Sequence, residues 1–343
     1  MSHHGSPLAA SFAPYRAPRW LPGGHAQTLW PLLIKPAPPA YRRERWDTPD
    51  GDFIDADFLD AATGSTDSAA NAAEPAPTAP LVILFHGLEG SSRSHYAVSL
   101  ALACQARGWG FVVPHFRGCS GEANRLPRAY HSGDSAEIGW VLAHLAQRFP
   151  GRPLHVAGVS LGGNALLKWL GEQEEAAGRL IRCAASICPP LDLAAAGFNL
   201  GRGFNLVYTR HFLGTLKASA LAKLKHHPGL FDPGKVRQAR NLYDFDEVVT
   251  APLHGFQGAL DYWTRASAKP LLDRVRLPTL LINPANDPFL PAAALPSRRQ
   301  VSAAVRLEQP AEGGHVGFVT GSPPGRLDWL PRRLLHFFDE HQS

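Results

Sequence analysis

Cysteine is scarce in this chain. There are four in 343 residues (Cys104, Cys119, Cys183 and Cys188), none in a C-x-x-C pair, which excludes a disulfide framework. No run of eighteen apolar residues occurs, so no segment is expected to span a membrane. The first twenty residues, MSHHGSPLAASFAPYRAPRW, lack the apolar stretch of a secretory signal. The expectation is a reduced, soluble, cytoplasmic protein without a transmembrane anchor. The sixteen histidines form no H-E-x-x-H or similar ligand pattern, so neither a metal nor a cofactor is expected. The formal charge is +5, yet the basic residues are dispersed, with only short clusters such as Arg42, Arg43 and Arg45. Without a long Lys/Arg block or a recognition motif, nucleic acid is not an expected partner. An acidic or anionic-lipid substrate would benefit mildly from the field.

What is present reads as one α/β domain carrying an insertion. Residues 1–40 are rich in Pro, Ala and aromatics, show no clear periodicity, and are taken as an extension packing on the core. A hairpin over Tyr41–Asp60 turns at Pro49-Asp50-Gly51. Residues 61–80 are a low-complexity, flexible insert of Ala, Pro, Ser and Thr. Short apolar runs at Leu81–Phe85, Gly110–Pro114, the start of Leu154–Gly163, Cys183–Ile187, Pro278–Ile282 and Val305–Glu308 then alternate with helical patterns, including His95–Arg107 and Ser135–Phe149. Asp134, three residues before Glu137, reads as a capping pair. With the hairpin this gives an eight-stranded, mostly parallel sheet with helices on both faces. The alternation breaks over 191–276, where helical but irregular stretches (204–213, 216–225, 260–266) read as a helical cap inserted between strands 6 and 7. A cap there would sit over the sheet edge where such folds bind ligands. The core is therefore 41–190 plus 277–343.

The stretch LHVAGVSLGG, 154–163, runs from a strand through Gly158-x-Ser160-x-Gly162 into a helical pattern. A serine at the tip of such a turn presents its hydroxyl above the sheet edge, as a nucleophile requires. It needs a base oriented by a carboxylate. His315, in the glycine-rich loop after the last strand, is the candidate base, and Asp287, just past the preceding strand, the candidate acid. Asp192, past the Cys183–Ile187 strand, and Glu312 are rival acids. The oxyanion of a tetrahedral intermediate would be bound by the N–H groups of Leu161 and Leu88. His86 is expected to hold the Leu88 loop rather than to transfer protons.

With those residues in view, the chain resembles the YheT-like α/β-hydrolases, the AB hydrolase 4 family. The blocks that carry the resemblance are GHAQT (24–28), HGLEGSSRSHYA (86–97), HFRGCSGEANR (115–125), YHSGD (130–134), GVSLGGNALLKWL (158–170), FDEVVTAPLHGF (245–256), NDPF (286–289) and GGHVGF (313–318). The resemblance implies an α/β-hydrolase fold with a cap and a Ser–Asp–His triad on Ser160, Asp287 and His315. It implies esterase or lipase-like activity on a small-molecule or lipid-like ester, with eukaryotic relatives acting on phospholipid acyl groups. Those relatives usually carry an N-terminal membrane anchor that this sequence does not show. Arg117 and Glu122 are expected to be structural or positioning residues, and the GHAQT segment has no assigned role.

Three functions follow. The first is a serine esterase with an acyl-enzyme on Ser160. The second is an acyltransferase passing the same acyl group to an alcohol or amine; His227 and Asp232 match an H-x-x-x-x-D pattern, which one of sixteen histidines is expected to do by chance. The third is a non-catalytic binding protein, since fold alone does not fix chemistry. A dehalogenase or epoxide hydrolase would need a carboxylate at position 160. The aromatic residues Phe198, Phe204, Tyr208, Phe212, Tyr262 and Trp263 either line an apolar pocket or form the inserted segment's own core. Acyl-chain length and oligomeric state are not readable.

Overall fold

A computed structural model describes residues 12–59 and 79–342. The insert expected at 61–80 lies almost wholly outside the described residues. Two short helices, α1 (Gly24–Leu29) and α2 (Pro31–Ile34), precede the sheet. The hairpin comprises β1 (Arg42–Asp47) and β2 (Phe53–Leu59). Its register sets Arg43 opposite Asp57 and Arg45 opposite Asp55, and each pair is bridged at 2.7 Å. Buried carboxylates on β2 are thereby neutralised by the neighbouring strand.

β3 (Leu81–Phe85), α3 (His95–Ala106), β4 (Gly110–Pro114), α4 (Ser135–Arg148), β5 (Leu154–Val159), α5 (Leu161–Gln173) and β6 (Cys183–Ile187) follow. After the insertion come β7 (Thr279–Ile282), β8 (Val305–Glu308) and α12 (Trp329–Asp339). The sheet has eight strands in the order β1-β2-β4-β3-β5-β6-β7-β8. β1, β2 and β4 pair antiparallel, and every other pair is parallel. The inner parallel strands read as mostly apolar runs because both faces are covered, whereas the edge strand β8 is buried only at Val305. Ile83, Phe85, Val156 and Leu281 pack with α4 and α5 on one face; Val82, Leu84, Ala157 and Leu280 pack with α3 and α12 on the other.

Between β6 and β7 the chain forms α6 (Leu193–Leu200), α7 (Leu206–His226), α8 (Pro233–Gln238), α9 (Leu242–Phe245), a π-helical turn (Asp246–Thr250), α10 (Ala251–Leu253) and α11 (Ala259–Ala266). Part of this segment has its own small core around Leu213, Val236, Phe245 and Val249. Three expectations need correction. The helical stretches read separately at 204–213 and 216–225 join in one regular 21-residue helix across Gly214, where an isolated glycine costs only about 1 kcal/mol. Asp134 and Glu137 form no capping pair; Asp134 binds Arg128 and Glu137 binds Arg117 instead. The N-terminal segment, read as aperiodic, is helical over most of 24–34. No helix among the described residues is long and apolar enough to cross a membrane.

Candidate active site

Ser160 joins the end of β5 to the start of α5 as the helix N-cap, with φ 53° and ψ −119°. Strand and helix pass so closely there that only glycine fits on either side. A Cβ on Gly158 would lie 2.6 Å from Gly162 O, and one on Gly162 2.5 Å from His86 O. The Ser160 N–H donates to Ile187 O at 2.8 Å, which ties the turn to β6. Strain of this kind costs about 1–3 kcal/mol and persists only where the surroundings over-determine it.

His315 Nε2 lies 3.0 Å from Ser160 Oγ, and His315 Nδ1 lies 2.8 Å from Asp287 Oδ2. With Nδ1–H donating to the carboxylate, Nε2 is left to accept from the serine hydroxyl. Asp287 is buried, and its Oδ1 accepts from Phe289 N at 2.8 Å. The Phe289 ring stacks on the imidazole at 3.9 Å. The rival acids are occupied elsewhere. Asp192 caps α6 by accepting from Ala195 N, and Glu312 lies 3.3 Å from Gln27 Nε2.

The loop bearing His315 is held by four consecutive backbone donors, each bound to a side chain. Gly313 N donates to Gln27 Oε1 (2.8 Å), Gly314 N to Asn286 Oδ1 (2.9 Å), His315 N to Thr28 Oγ1 (2.8 Å) and Val316 N to Cys188 Sγ (3.3 Å). Gln27 Oε1 also accepts from Asn286 Nδ2 at 3.0 Å, joining the histidine loop to the aspartate loop. The clamp has strain to hold. Val316 has φ 58° and Cys188 φ 50°, conformations that a β-branched residue in particular rarely adopts. Gln27, Thr28 and Asn286 were not singled out as site residues in the sequence. GHAQT was visible as a block, but its partners lie more than 250 positions away.

Gly87 N donates to Tyr96 Oη and Glu89 N to Tyr130 Oη, both at 2.9 Å. The N–H of Leu88 between them has no acceptor among the described residues. Leu161 N is the first donor of α5, and the first four N–H groups of a helix have no intrahelical acceptor. The Leu88 loop passes beside the serine: a Cβ on Gly87 would lie 3.2 Å from Ser160 Cβ. His86 holds this loop, with Nδ1 2.8 Å from Gly87 O and Nε2 accepting from Phe116 N. Burial lowers its pKa to about 3, so the ring is neutral.

A cavity of about 400 Å³ lies over Ser160, lined by Leu88 and Leu161 from the core and by Leu200, Phe212, Val249 and Trp263 from the inserted helices. Arg117 borders it, buried against Glu137, Asp52 and Asp50. Glu122 is exposed and pairs with Arg45. His227 and Asp232 do not act together: His227 Nε2 meets Arg125 O, while Asp232 caps α8. Cys188, Asp287 and His315 are the one grouping of potential metal ligands among the described residues. Asp287 and His315 are already bound to each other, and burial pushes the Cys188 thiol well up.

An eight-stranded sheet with a strained serine after β5 and loops after β7 and β8 converging on it defines a class. The chain belongs to the α/β hydrolase fold family, whose model matches residues 80–322. It is 36% identical to YheT of Escherichia coli (strain K12), provisionally named an esterase, over 95% of this chain and 92% of that protein. It is 30% identical to the human phospholipase ABHD3, over 93% of this chain and 76% of that one. Among solved structures, Est1E from Butyrivibrio proteoclasticus with bound ferulic acid superposes with TM-score 0.54 at 16% identity, covering 88% of this chain and 99% of that chain.

Proposed function

We propose that the protein is a serine carboxylic-ester hydrolase. Ser160 Oγ attacks the acyl carbon while His315 Nε2 takes its proton. Asp287 holds the resulting imidazolium by the Nδ1–H bond. The oxyanion is bound by the N–H groups of Leu88 and Leu161 and stabilised by the N-terminus of α5. His315 then returns the proton to the departing alcohol, and water repeats the sequence in reverse to free the acid. Residues 191–276 act as a cap whose apolar inner surface receives the substrate, on a core formed by 41–190 and 277–343.

The observation that carries this reading is the hydrogen-bonded line Ser160–His315–Asp287 at 3.0 and 2.8 Å beneath an apolar cavity. The relatives named as esterase and phospholipase point the same way. The test is labelling by a fluorophosphonate probe, wild type beside Ser160→Ala, followed by p-nitrophenyl esters from C2 to C16. Labelling and turnover should both vanish in the variant. A folded wild type that neither labels nor turns over any ester would refute the reading. Adding an alcohol acceptor to the same assay separates hydrolysis from acyl transfer.

A further inference from the structure

Seven large apolar side chains are exposed among the described residues; Phe198 of α6 and Leu260 of α11 stand apart, and the other five cluster. Leu33 (75% exposed), Leu32 (57%), Phe204 (53%), Val207 (47%) and Leu29 (36%) belong to one face. The backbone at Trp30 stays helical (φ −56°, ψ −40°), so 24–34 is nearly one helical path. On that path His25, Leu29, Leu32 and Leu33 share a side. His25 joins this side to the inserted helices: its ring lies 4.6 Å from that of Phe204, and its Nδ1 3.1 Å from Tyr208 Oη. Val207 follows Phe204 by three positions. Tyr208 packs on Phe289, which stacks on His315, so the face lies a few aromatic contacts from the reacting centre.

The segments that carry this face hold charge of one sign, with Glu312 beside Gln27 of α1 as an acidic neighbour from another loop. Residues 1–43 contain no Asp or Glu, and neither do residues 193–231, whereas 29 acidic residues in 343 would place about seven in those 82 positions. Lys35, Arg202 and Arg210 are exposed beside the apolar side chains, and none pairs with a carboxylate among the described residues. Apolar side chains in a rim of unpaired cations match an anionic lipid surface, which takes the first into its acyl boundary and the second at its headgroups. A contiguous exposed apolar patch marks an interaction site rather than ordinary surface.

We propose that the face formed by α1, α2 and the start of α7 docks the protein on an anionic lipid surface. The docking itself is independent of the chemistry at Ser160. Its consequence, that lipid-borne esters reach the cavity from that surface, rests on the hydrolase reading.

The experiment uses the full chain carrying Ser160→Ala, sedimented with vesicles of phosphatidylglycerol and phosphatidylcholine or of phosphatidylcholine alone. Binding to the anionic vesicles should exceed binding to the neutral ones at least tenfold and weaken with salt. Leu33→Ser with Val207→Ser should lower vesicle binding at least tenfold. In the wild-type background, the same pair should leave hydrolysis of a water-soluble acetate ester and the melting temperature unchanged. Lys35→Glu with Arg210→Glu should abolish the preference for anionic vesicles. Absence of binding to either vesicle, or equal binding by the serine pair, overturns the proposal. So does a dimer in sedimentation equilibrium that the serine pair converts to monomer, which would make the face a self-interface. Failure of the esterase assay with vesicle binding intact would count against the hydrolase reading alone.

Discussion

Replacing Gln27 with alanine tests whether the GHAQT segment positions the proposed base. Gln27 is fully buried, and its amide makes four contacts: Gly313 N and Asn286 Nδ2 donate to Oε1, while Nε2 donates to Leu21 O and Glu312. Truncation leaves the buried Gly313 N–H without an acceptor, at a cost of about 1–3 kcal/mol. In a domain of this size that lowers the melting temperature by several degrees. The catalytic effect should be larger than the stability effect suggests. The clamp offsets the strain at Val316 (φ 58°), so releasing one of its four anchors lets the His315 loop relax toward ordinary backbone. A displacement of about 1 Å at a reacting group costs about 10²-fold in rate.

The expected result with p-nitrophenyl butyrate is a kcat lowered about 10–10²-fold with KM within twofold, since Gln27 does not line the cavity. Gln27→Glu keeps both acceptor contacts but loses the donor and faces Glu312. Gln27→Glu combined with Glu312→Gln restores a donor–acceptor pair across that contact and should recover part of kcat, the carboxylate still facing Leu21 O without a donor. A kcat within twofold of wild type for Gln27→Ala would refute the positioning argument. So would loss of kcat in proportion to unfolded protein, because the segment would then be merely structural.

Gly87→Ala sets a Cβ 3.2 Å from Ser160 Cβ and should reduce fluorophosphonate labelling at least tenfold with little change in melting; unaltered labelling would show that the loop yields. Lys223 of α7 reaches Asn124 Oδ1, Leu126 O and Arg128 O, so Lys223→Met should raise hydrogen exchange in α7 and in residues 124–129 by about 10- to 150-fold, for a loss of roughly 1.5–3 kcal/mol; unchanged exchange refutes it. Burial lowers His86 to about 3 and His95, His131 and His155 to about 4, so the unfolded chain binds those protons first. Their contribution is complete above about pH 6.5 and falls as pH drops toward 4, by up to ~1.4 kcal/mol per unit for each ring. Asp246 and Glu137, raised by burial, act in the opposite sense but are fewer. Urea midpoints should therefore fall between pH 6.5 and 4.5; a flat or rising profile refutes this balance.

The inner parallel strands were legible nearly to the residue because each is covered on both faces and so reads as a mostly apolar run; the edge strand β8, VRLE, is buried only at Val305. Leu81–Phe85, Gly110–Pro114, Cys183–Ile187 and Val305–Glu308 form the strands read from the sequence. The serine turn was legible in part for a local reason: Gly158 is demanded by its contact with Gly162 four residues on, although Gly162 is demanded by Phe85 and His86 of the neighbouring strand end. The inserted helices were less so. α7 is exposed along much of its length and held by packing on α8 and α9, so no sharp apolar stripe marks its extent.

Asp287 was preferred to Asp192 on chain order and placement alone, since both follow strand ends on the same edge of the sheet and nothing local in the sequence tells them apart. What separates them is the use of neighbouring backbone. Asp192 begins a helix, and a helix start leaves N–H groups that a carboxylate two or three positions earlier satisfies. Asp287 begins no helix. It binds only Phe289 N locally, which leaves Oδ2 for His315. The clamp at 313–316 was invisible for a different reason. A buried glutamine or threonine gives no periodic signal, and its meaning depends on which orphan donors lie opposite. Four successive N–H groups in a left-handed, glycine-led loop cannot bond to a strand or to one another. They need side-chain acceptors from elsewhere, and the fold supplies these from the segment before β1 and from the ends of β6 and β7.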